Sequence, residues 1–306
     1  MRIVIIGSSA ASKSAVETLQ RSGVNDIELI IITKDKTPFY SRVILPNYLA
    51  GYLKEEELIF FRPVSYTANP VEIIQGAVTR VEPSNKRVIM ADGRQIAYDR
   101  LLICSGASPS TLLPERNPGE PISGLCHFRN IEDIHQISEL LSDAEDCVVV
   151  GGGLIGLKAA VALNHLGKHV TVVHRSPQLL STFMDRQGSE MVARILNRQD
   201  IDFILCDTIE GYETEKERLS GITLKSGKKL EAQLVVWAAG VSPNTDFLKE
   251  SGIAIENGVC VDDYMQTNIE GIFAAGDVTR AKNLLTNELD TITLWTDATL
   301  QGKVAA

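Results

Sequence analysis

Cysteine is scarce in this chain. Among 306 residues there are five, Cys104, Cys126, Cys147, Cys206 and Cys260, and no two form a CxxC or stand at metal-ligand spacing. That excludes a disulfide framework and a thiolate metal centre, and an odd number of scattered thiols is expected of a reduced, cytoplasmic protein. Positive charge is also short. Thirty Lys and Arg face 39 Asp and Glu, a net charge of −9, which argues against a nucleic-acid-binding surface. No apolar run is long enough to span a membrane, and the first strand pattern begins at Arg2, so no leader is expected ahead of it. His127, His135, His165 and His169 lie apart, without Cys or carboxylate at ligand spacing, and read as surface or structural residues with no metal. What is present is an ordinary globular composition, 44% hydrophobic and 23% charged, and enough chain for two domains.

The most informative stretch is Val148–Gly156, VVVGGGLIG. Three β-branched residues make a buried-strand pattern. Gly151, Gly153 and Gly156 follow at GxGxxG spacing. A helical run carries Ile155, Ala159, Ala162, Leu163 and Leu166 on one face, with Gly167 as its stop, and His169–Val173 is the next strand. Strand, glycine turn, helix and strand form one βαβ unit. Its glycines provide a tight turn, close approach to a pyrophosphate and close helix packing, and the helix N-terminus faces the phosphates.

A weaker copy opens the chain. Ile3–Ile6 is a strand, Gly7-Ser8-Ser9-Ala10-Ala11-Ser12 a turn, and a helix runs to about Arg21 before the strand Glu28–Thr33. Only the first glycine survives; Ser9 and Ser12 take the other two places. The acid expected after the second strand is not cleanly placed, and Asp35 is the nearest candidate. Thr37–Gly51 reads as a loop and helix. Short strands follow at Val71–Ile74, Ala77–Val81, Arg87–Met90 and Gln95–Tyr98, with Asp92-Gly93 as a hairpin turn. Leu101–Cys104 is a buried strand, and the Pro- and Gly-rich stretch from Ser110 to Ser123 reads as a linker. Beyond the GxGxxG unit come a helix near Gln187–Arg198, a strand Ile201–Leu205, a hairpin about Ser226-Gly227, a buried strand Leu234–Ala238, a strand Gly271–Ala275 and a helix from Asp297. One Rossmann-like domain is thus inserted into another, an α/β fold with domains at 1–112 plus 242–306 and at 113–241.

The order GxGxxG, AAGVSPN at Ala238–Asn244 and AAGDV at Ala274–Val278, with LLICSGASP at Leu101–Pro109, resembles the pyridine nucleotide–disulfide oxidoreductases, flavoproteins with two dinucleotide-binding domains. Within them, TPFYSRVILPNYLAG, VTVVHRSPQLL and LWTDATLQGKVAA are most similar to the NAD(P)H-handling part of assimilatory nitrite reductases and to rubredoxin reductases. The resemblance implies FAD in the outer domain, held at Gly7, Ser9, Ala10, Ala11, Asp35, Arg42, Ser105, Gly106, Gly276 and Asp277. It implies NAD(P)H in the inserted domain, at Gly151, Gly153, Ile155, Gly156, His174, Arg175 and Gly240. Hydride would pass from the nicotinamide to flavin N5, and the electrons onward to a small redox protein or reductase partner.

Four departures from the family pattern shape the expectation. No cysteine stands near Val43, where disulfide reductases and their single-cysteine branches carry one, so electrons should leave the flavin without a thiol relay. The Lys and Glu that many relatives pair beside the flavin are here Asn47 and Lys158, in exchanged places, which makes these two the expected catalytic residues. The second strand of the NAD(P)H unit ends at His174 and Arg175 instead of an acid, with NADH preferred on the resemblance to the nitrite reductase branch. Finally, the family's C-terminal interface domain, which makes the dimer, has no counterpart in these 306 residues, so no oligomeric state is expected from the resemblance. The rival readings are an NADH oxidase using oxygen and a nucleotide-binding subunit with little turnover.

Overall fold

The computed structural model describes the whole chain except residues 64–68, 111–114, 118–119 and 284–285. The elements that matter below are, in chain order, β1 (Arg2–Ile6), α1 (Ala10–Arg21), β2 (Glu28–Thr33), α2 (Leu45–Leu49), β3 (Val71–Gln75), β4 (Arg100–Ile103), β5 (Leu125–His127), α3 (Ile131–Leu140), β6 (Asp146–Val150), α4 (Leu154–His165), β7 (His169–His174), α5 (Arg186–Asn197), β8 (Ile201–Leu205), β9 (Leu234–Trp237), β10 (Ile272–Ala274) and α6 (Trp295–Ala305).

The chain divides into two compact units. The first holds Met1–Ser41, Ile59–Ser108 and Ser242–Ala306; the second holds Arg42–Leu58 and Pro109–Val241. The expected boundary at 112/113 lies outside the described residues; the compact units part at Ser108, so Pro109 and Ser110 group with the inserted unit, and a second departure is larger. Arg42–Leu58, read as part of the outer domain, groups with the inserted unit. The reason is local. Leu45, Pro46 and Leu49 are buried on α2, and α2 packs against α3 and α4.

The first unit is built on a five-stranded sheet of order β10-β4-β1-β2-β3, parallel throughout. Side chains alternate across it. Ile3 and Ile5 face α1, while Val4 and Ile6 face Val81, Val88 and Met90 of the antiparallel hairpins at 78–97. Both faces are covered, which is why β1 and β2 read as continuous apolar runs instead of an alternation. α6 crosses α1 at a glycine: a Cβ on Gly302 would lie 2.1 Å from the Ala11 carbonyl oxygen.

The second unit repeats the plan. Its sheet has the order β5-β9-β6-β7-β8, again all parallel. Val148 and Val150 pack on Leu219, Ile222 and Leu224 of a three-stranded antiparallel sheet. α4 buries Gly156, Leu157, Ala159, Ala160, Ala162 and Leu163. Ile155, expected on that buried face, is instead exposed in the first turn; the helix turns Gly156 and Leu157 inward. Gly167, at φ +78°, ends α4 as expected.

The glycines of this unit separate sharply by what surrounds them. A Cβ on Gly156 would sit 1.9 Å from the Gly151 carbonyl oxygen, whereas one on Gly153 would meet nothing within 4 Å. Gly156→Ala is therefore expected to cost at least about 2 kcal/mol through forced backbone displacement. Gly153→Ala, at the N-cap, should cost about 1 kcal/mol or less. Denaturant midpoints of the two variants at equal slope measure the difference; equal losses would show that packing at position 156 is not what holds the turn.

Candidate nucleotide-binding turns

Each unit carries a turn at the carboxyl end of the middle strand of its sheet, β1 in the first and β6 in the second, and the two are built alike. In the first unit Gly7 has φ +110°. Its N–H donates to the Ile32 carbonyl at 2.8 Å, and a Cβ there would lie 2.1 Å from the Cys104 carbonyl oxygen. In the second unit Gly151 has φ +121°. Its N–H donates to the Val173 carbonyl at 2.9 Å, and a Cβ there would lie 2.4 Å from the Ala238 carbonyl oxygen. Only a residue without a side chain fits either place. The next residue is held in the same way: the Ser8 carbonyl accepts from Phe39 N–H, and the Gly152 carbonyl from Leu180 N–H, both at 2.9 Å. Phe39 and Leu180 both stand in the left-handed region, at φ +58° and +52°.

The helices behind the turns begin at Ser9 and Gly153. Both N-caps are extended, neither makes a side-chain cap, and no acid stands in either first turn. The first N–H groups of α1 and α4 therefore have no side-chain acceptor, and the positive end of each helix dipole is not neutralised by a carboxylate. That is the chemistry of an anion site of phosphate type. The turns differ at the third position. Gly156 packs directly on Gly151, while Ser12, fully buried, occupies the equivalent place with its hydroxyl lacking any hydrogen-bond partner. Ala10 and Ala11 are buried at the start of α1, and Ala11 is the crossing point for Gly276 and Gly302, so its role is packing.

The ends of the second strands differ in a compensating way. In the first unit β2 ends at Thr33, whose hydroxyl meets the Ser8 hydroxyl at 2.8 Å in the interior and accepts the Asp35 N–H at 3.2 Å. Asp35 lies half-buried two residues past the strand. In the second unit the corresponding pair is Gly152 and His174. A Cβ on Gly152 would lie 2.8 Å from the His174 ring, so the larger ring at the strand end goes with the smaller residue in the turn. Burial, then the neighbouring Arg175, hold the His174 imidazole below its usual range, and the ring is neutral near pH 7. Arg175 is exposed.

The remaining expected residues fall into two groups. In the first unit, Ser105 and Asn244 clasp each other. Ser105 Oγ donates to the Asn244 carbonyl at 2.9 Å, Asn244 Nδ2 donates to the Ser105 carbonyl at 2.8 Å, and the Asn244 N–H donates to the Gly106 carbonyl at 2.9 Å. Gly276, at φ +86°, opens the AAGDV turn. Its N–H donates to Gln301 Oε1 at 2.7 Å, which also accepts from Thr279 Oγ1 at 3.0 Å, and Asp277 follows half-buried. Trp295 packs edge-on against Phe60, 4.9 Å between ring centres, a core contact.

In the second unit, Gly240 stands exposed at φ +115°, its carbonyl accepting from Ser110 N–H at 3.2 Å. Arg42, expected against the flavin, groups with this unit, where its Nε donates to Asn130 Oδ1 at 3.4 Å, beside the N-terminus of α3. Asn47 on α2 and Lys158 on α4 are both exposed, on helices that pack together. Lys158 shares a face of α4 with Leu154, Val161 and His165, and His165 Nδ1 lies 3.1 Å from Tyr52 Oη just beyond α2. The sequence reading missed these fasteners. Glu55 Oε2 takes His135 Nε2 at 2.8 Å and Tyr48 Oη at 3.1 Å, which pins the segment to α3. Nothing in the local pattern marks them, because the partners are some 80 residues apart.

Of the five thiols, Cys206 is exposed and Cys260 half-buried. Cys104, Cys126 and Cys147 are buried, and burial raises all three, Cys126 and Cys147 to about 12. No helix among the described residues is long and apolar enough to cross a membrane, and no group of three His, Cys, Asp or Glu among them is placed to hold a metal.

Comparison with known proteins agrees with this geometry. The chain is 30% identical over 279 residues to an assimilatory nitrate reductase electron transfer subunit of Bacillus subtilis, covering 90% of this chain and 35% of that protein. It thus spans about a third of that relative's length. It is 27% identical over 307 residues to a rubredoxin-NAD(+) reductase of Pseudomonas putida, covering all of this chain and 79% of that one. The reductase in a covalent putidaredoxin reductase–putidaredoxin complex superposes with a TM-score of 0.92 at 25% identity, over 99% of this chain and 74% of that one. Pyridine nucleotide-disulphide oxidoreductases bind FAD and NAD(P)H. The family model described as pyridine nucleotide-disulphide oxidoreductase matches residues 1–302, and the chain belongs to that family.

Proposed function

We propose that this chain is an FAD-dependent NAD(P)H oxidoreductase that delivers electrons to a separate acceptor protein of rubredoxin, ferredoxin or nitrite reductase type. The observation that carries the reading is the duplicated turn. Two glycines are forced into the left-handed region by carbonyls 2.1 and 2.4 Å from their Cβ positions, each ahead of a helix without an N-terminal acid. One such turn is a weak signal; two in one chain fit two dinucleotides. When bound, the flavin accepts hydride from the nicotinamide and returns electrons to an acceptor.

The residues divide the work by unit. The N–H groups of the Gly7–Ser12 turn hold the FAD pyrophosphate, with Ser9 half-buried at the helix start and the orphan hydroxyl of Ser12 behind it. Ser105, Gly106, Gly276 and Asp277 line the same strand ends. Gly151, Gly153, Ile155 and Gly156 hold the second pyrophosphate, and Gly240 keeps its strand end free of a side chain. His174 and Arg175 meet the adenosine ribose. With no carboxylate at His174 or Arg175, a 2′-phosphate is not repelled and Arg175 would attract one; the resemblance to the nitrite reductase branch supports NADH as the donor. Lys158 places an ammonium on the face of α4 that carries His165 and so its Tyr52 contact, and favours a reduced, anionic flavin; Asn47 is its neutral counterpart on α2. The burial of Cys104, Cys126 and Cys147, with no cysteine near Val43, supports direct electron exit without a cysteine relay.

Anaerobic mixing of the purified chain with NADH tests the reading by flavin absorbance. Rapid bleaching, followed by recolouring on adding rubredoxin, is the expected result. Bleaching reversed only by oxygen would favour the oxidase reading, and bound flavin that never bleaches would leave a binding subunit. Lys158→Gln should slow bleaching about tenfold, or about 1.4 kcal/mol, and lower the flavin potential; unchanged rate and potential would remove Lys158 from the mechanism. The pH dependence separates the two donors. His174 titrates below its usual range, so acidification from pH 8 toward pH 5 protonates it and adds a positive charge beside the 2′ position. KM for NADPH should then fall while KM for NADH holds, and His174→Ala should abolish the difference.

A further inference from the structure

α6 turns Ala298, Gln301 and Gly302 inward and leaves Leu300, Lys303 and Val304 outside. Gln301 differs from its two small neighbours, being a long polar side chain only 9% exposed. Burying an amide costs free energy unless its oxygen and its nitrogen both find partners. The oxygen is accounted for. The Gly276 N–H can only donate, so the atom that meets it at 2.7 Å is Oε1, and this fixes which way the amide faces. Oε1 also meets Thr279 Oγ1 at 3.0 Å. Thr279 closes the turn on itself, its N–H and hydroxyl reaching the Gly276 carbonyl at 2.9 and 2.8 Å. The nitrogen is not accounted for. Nε2 donates to no acceptor among the described residues, and it is not sealed in the core.

The surroundings of Gln301 point to the acceptor. A Cβ on Gly276 would lie 3.3 Å from Ala11 Cβ and 3.6 Å from Ala298 Cβ, and one on Gly302 would lie 2.1 Å from the Ala11 carbonyl oxygen. Gln301 is thus held against the first turn of α1, where no acid neutralises the positive end of the helix. Such a place collects anionic oxygens. We propose that Gln301 binds FAD directly: Oε1 holds the Gly276–Asp277 turn shut, and Nε2 donates to a phosphate oxygen of the cofactor. The inference rests on the reading of the first unit as the FAD site. One side chain then serves both turns of that site, fastening the second and meeting the phosphates held at the first. A hydrogen bond to a charged oxygen is of the stronger kind, so its loss should weaken FAD binding about tenfold or more.

The test is the dissociation constant for FAD, read from the recovery of free-flavin fluorescence as the FAD-loaded chain is diluted. Gln301→Glu keeps an oxygen for the Gly276 N–H and removes the donor. Gln301→Met, close in size and uncharged, removes both. Each should raise the dissociation constant about tenfold or more. Either variant holding FAD as tightly as the wild type overturns the proposal; if Gln301→Glu does so while Gln301→Met does not, Gln301 is a clasp for the turn alone. Circular dichroism checks that the variants fold. A crystal structure of the wild-type FAD complex decides without any variant. Nε2 within about 3.2 Å of a phosphate oxygen is the expected result, and Nε2 facing only protein or solvent overturns the proposal. A wild-type chain that takes up no FAD fails at an earlier point, the reading of the site itself, and takes this proposal with it.

Discussion

Two carbonyl oxygens set the terms for most of this molecule. Cys104 and Ala238 end the return strands of the two sheets, and each points its carbonyl at the place where the first glycine of a turn would carry a side chain. That contact fixes the left-handed backbone at Gly7 and Gly151. It lets the return strand lie directly beside the middle strand, Cys104 N–H on the Ile6 carbonyl and Ala238 N–H on the Val150 carbonyl, both at 2.8 Å. The helices then start where their N–H groups open toward the strand ends. The same close approach that closes the sheet thus bares the amides.

The two turns have diverged around that shared constraint. Where the second strand ends in a ring, the turn gives way to Gly152; where it ends in Thr33, the turn keeps Ser8 and gains an interior hydroxyl contact. Where the third glycine is kept, α4 sits on the Gly151 carbonyl. Where Ser12 replaces it, a buried hydroxyl is left without a partner, and such a group costs about 1–3 kcal/mol unless something satisfies it. Retaining that cost beside the first turn of α1 is consistent with a ligand on this side.

Much of this was legible in the chain. Glycine spacing between a β-branched run and an apolar helix located Gly151–Gly156 because turn, packing and anion binding all demand the same residue there. LLICSGASP and AAGVSPN located the return strands, and AAGDV the edge strand of the first sheet. Three things were not legible. Arg42–Leu58 leaves its neighbours in sequence because of contacts made by Tyr48, Tyr52 and Glu55 with histidines 80 or more residues away, and no local period encodes a partner that distant. The left-handed residues Phe39 and Leu180 carry bulky side chains that no turn rule favours; their N–H groups are held by the Ser8 and Gly152 carbonyls, far back in the sequence. Ile155 was assigned to the wrong face because four small or apolar residues surround it and α4 is apolar nearly all round, so the period was blurred.

The interleaving of the two units has a consequence for synthesis. The second unit has every strand of its sheet between Leu125 and Trp237, with its helical strap at Arg42–Leu58 already made. The first unit begins earlier yet finishes later: its edge strand is Ile272–Ala274, and the helix that locks α1 at Ala11 is Trp295–Ala305. During translation the inserted unit is therefore complete while the outer sheet still stands open at one edge, with Arg100–Ile103 unpaired on one side. The unit that starts first closes last, over contacts that span almost the full chain, and the open apolar edge in that interval is where a chaperone has most to protect.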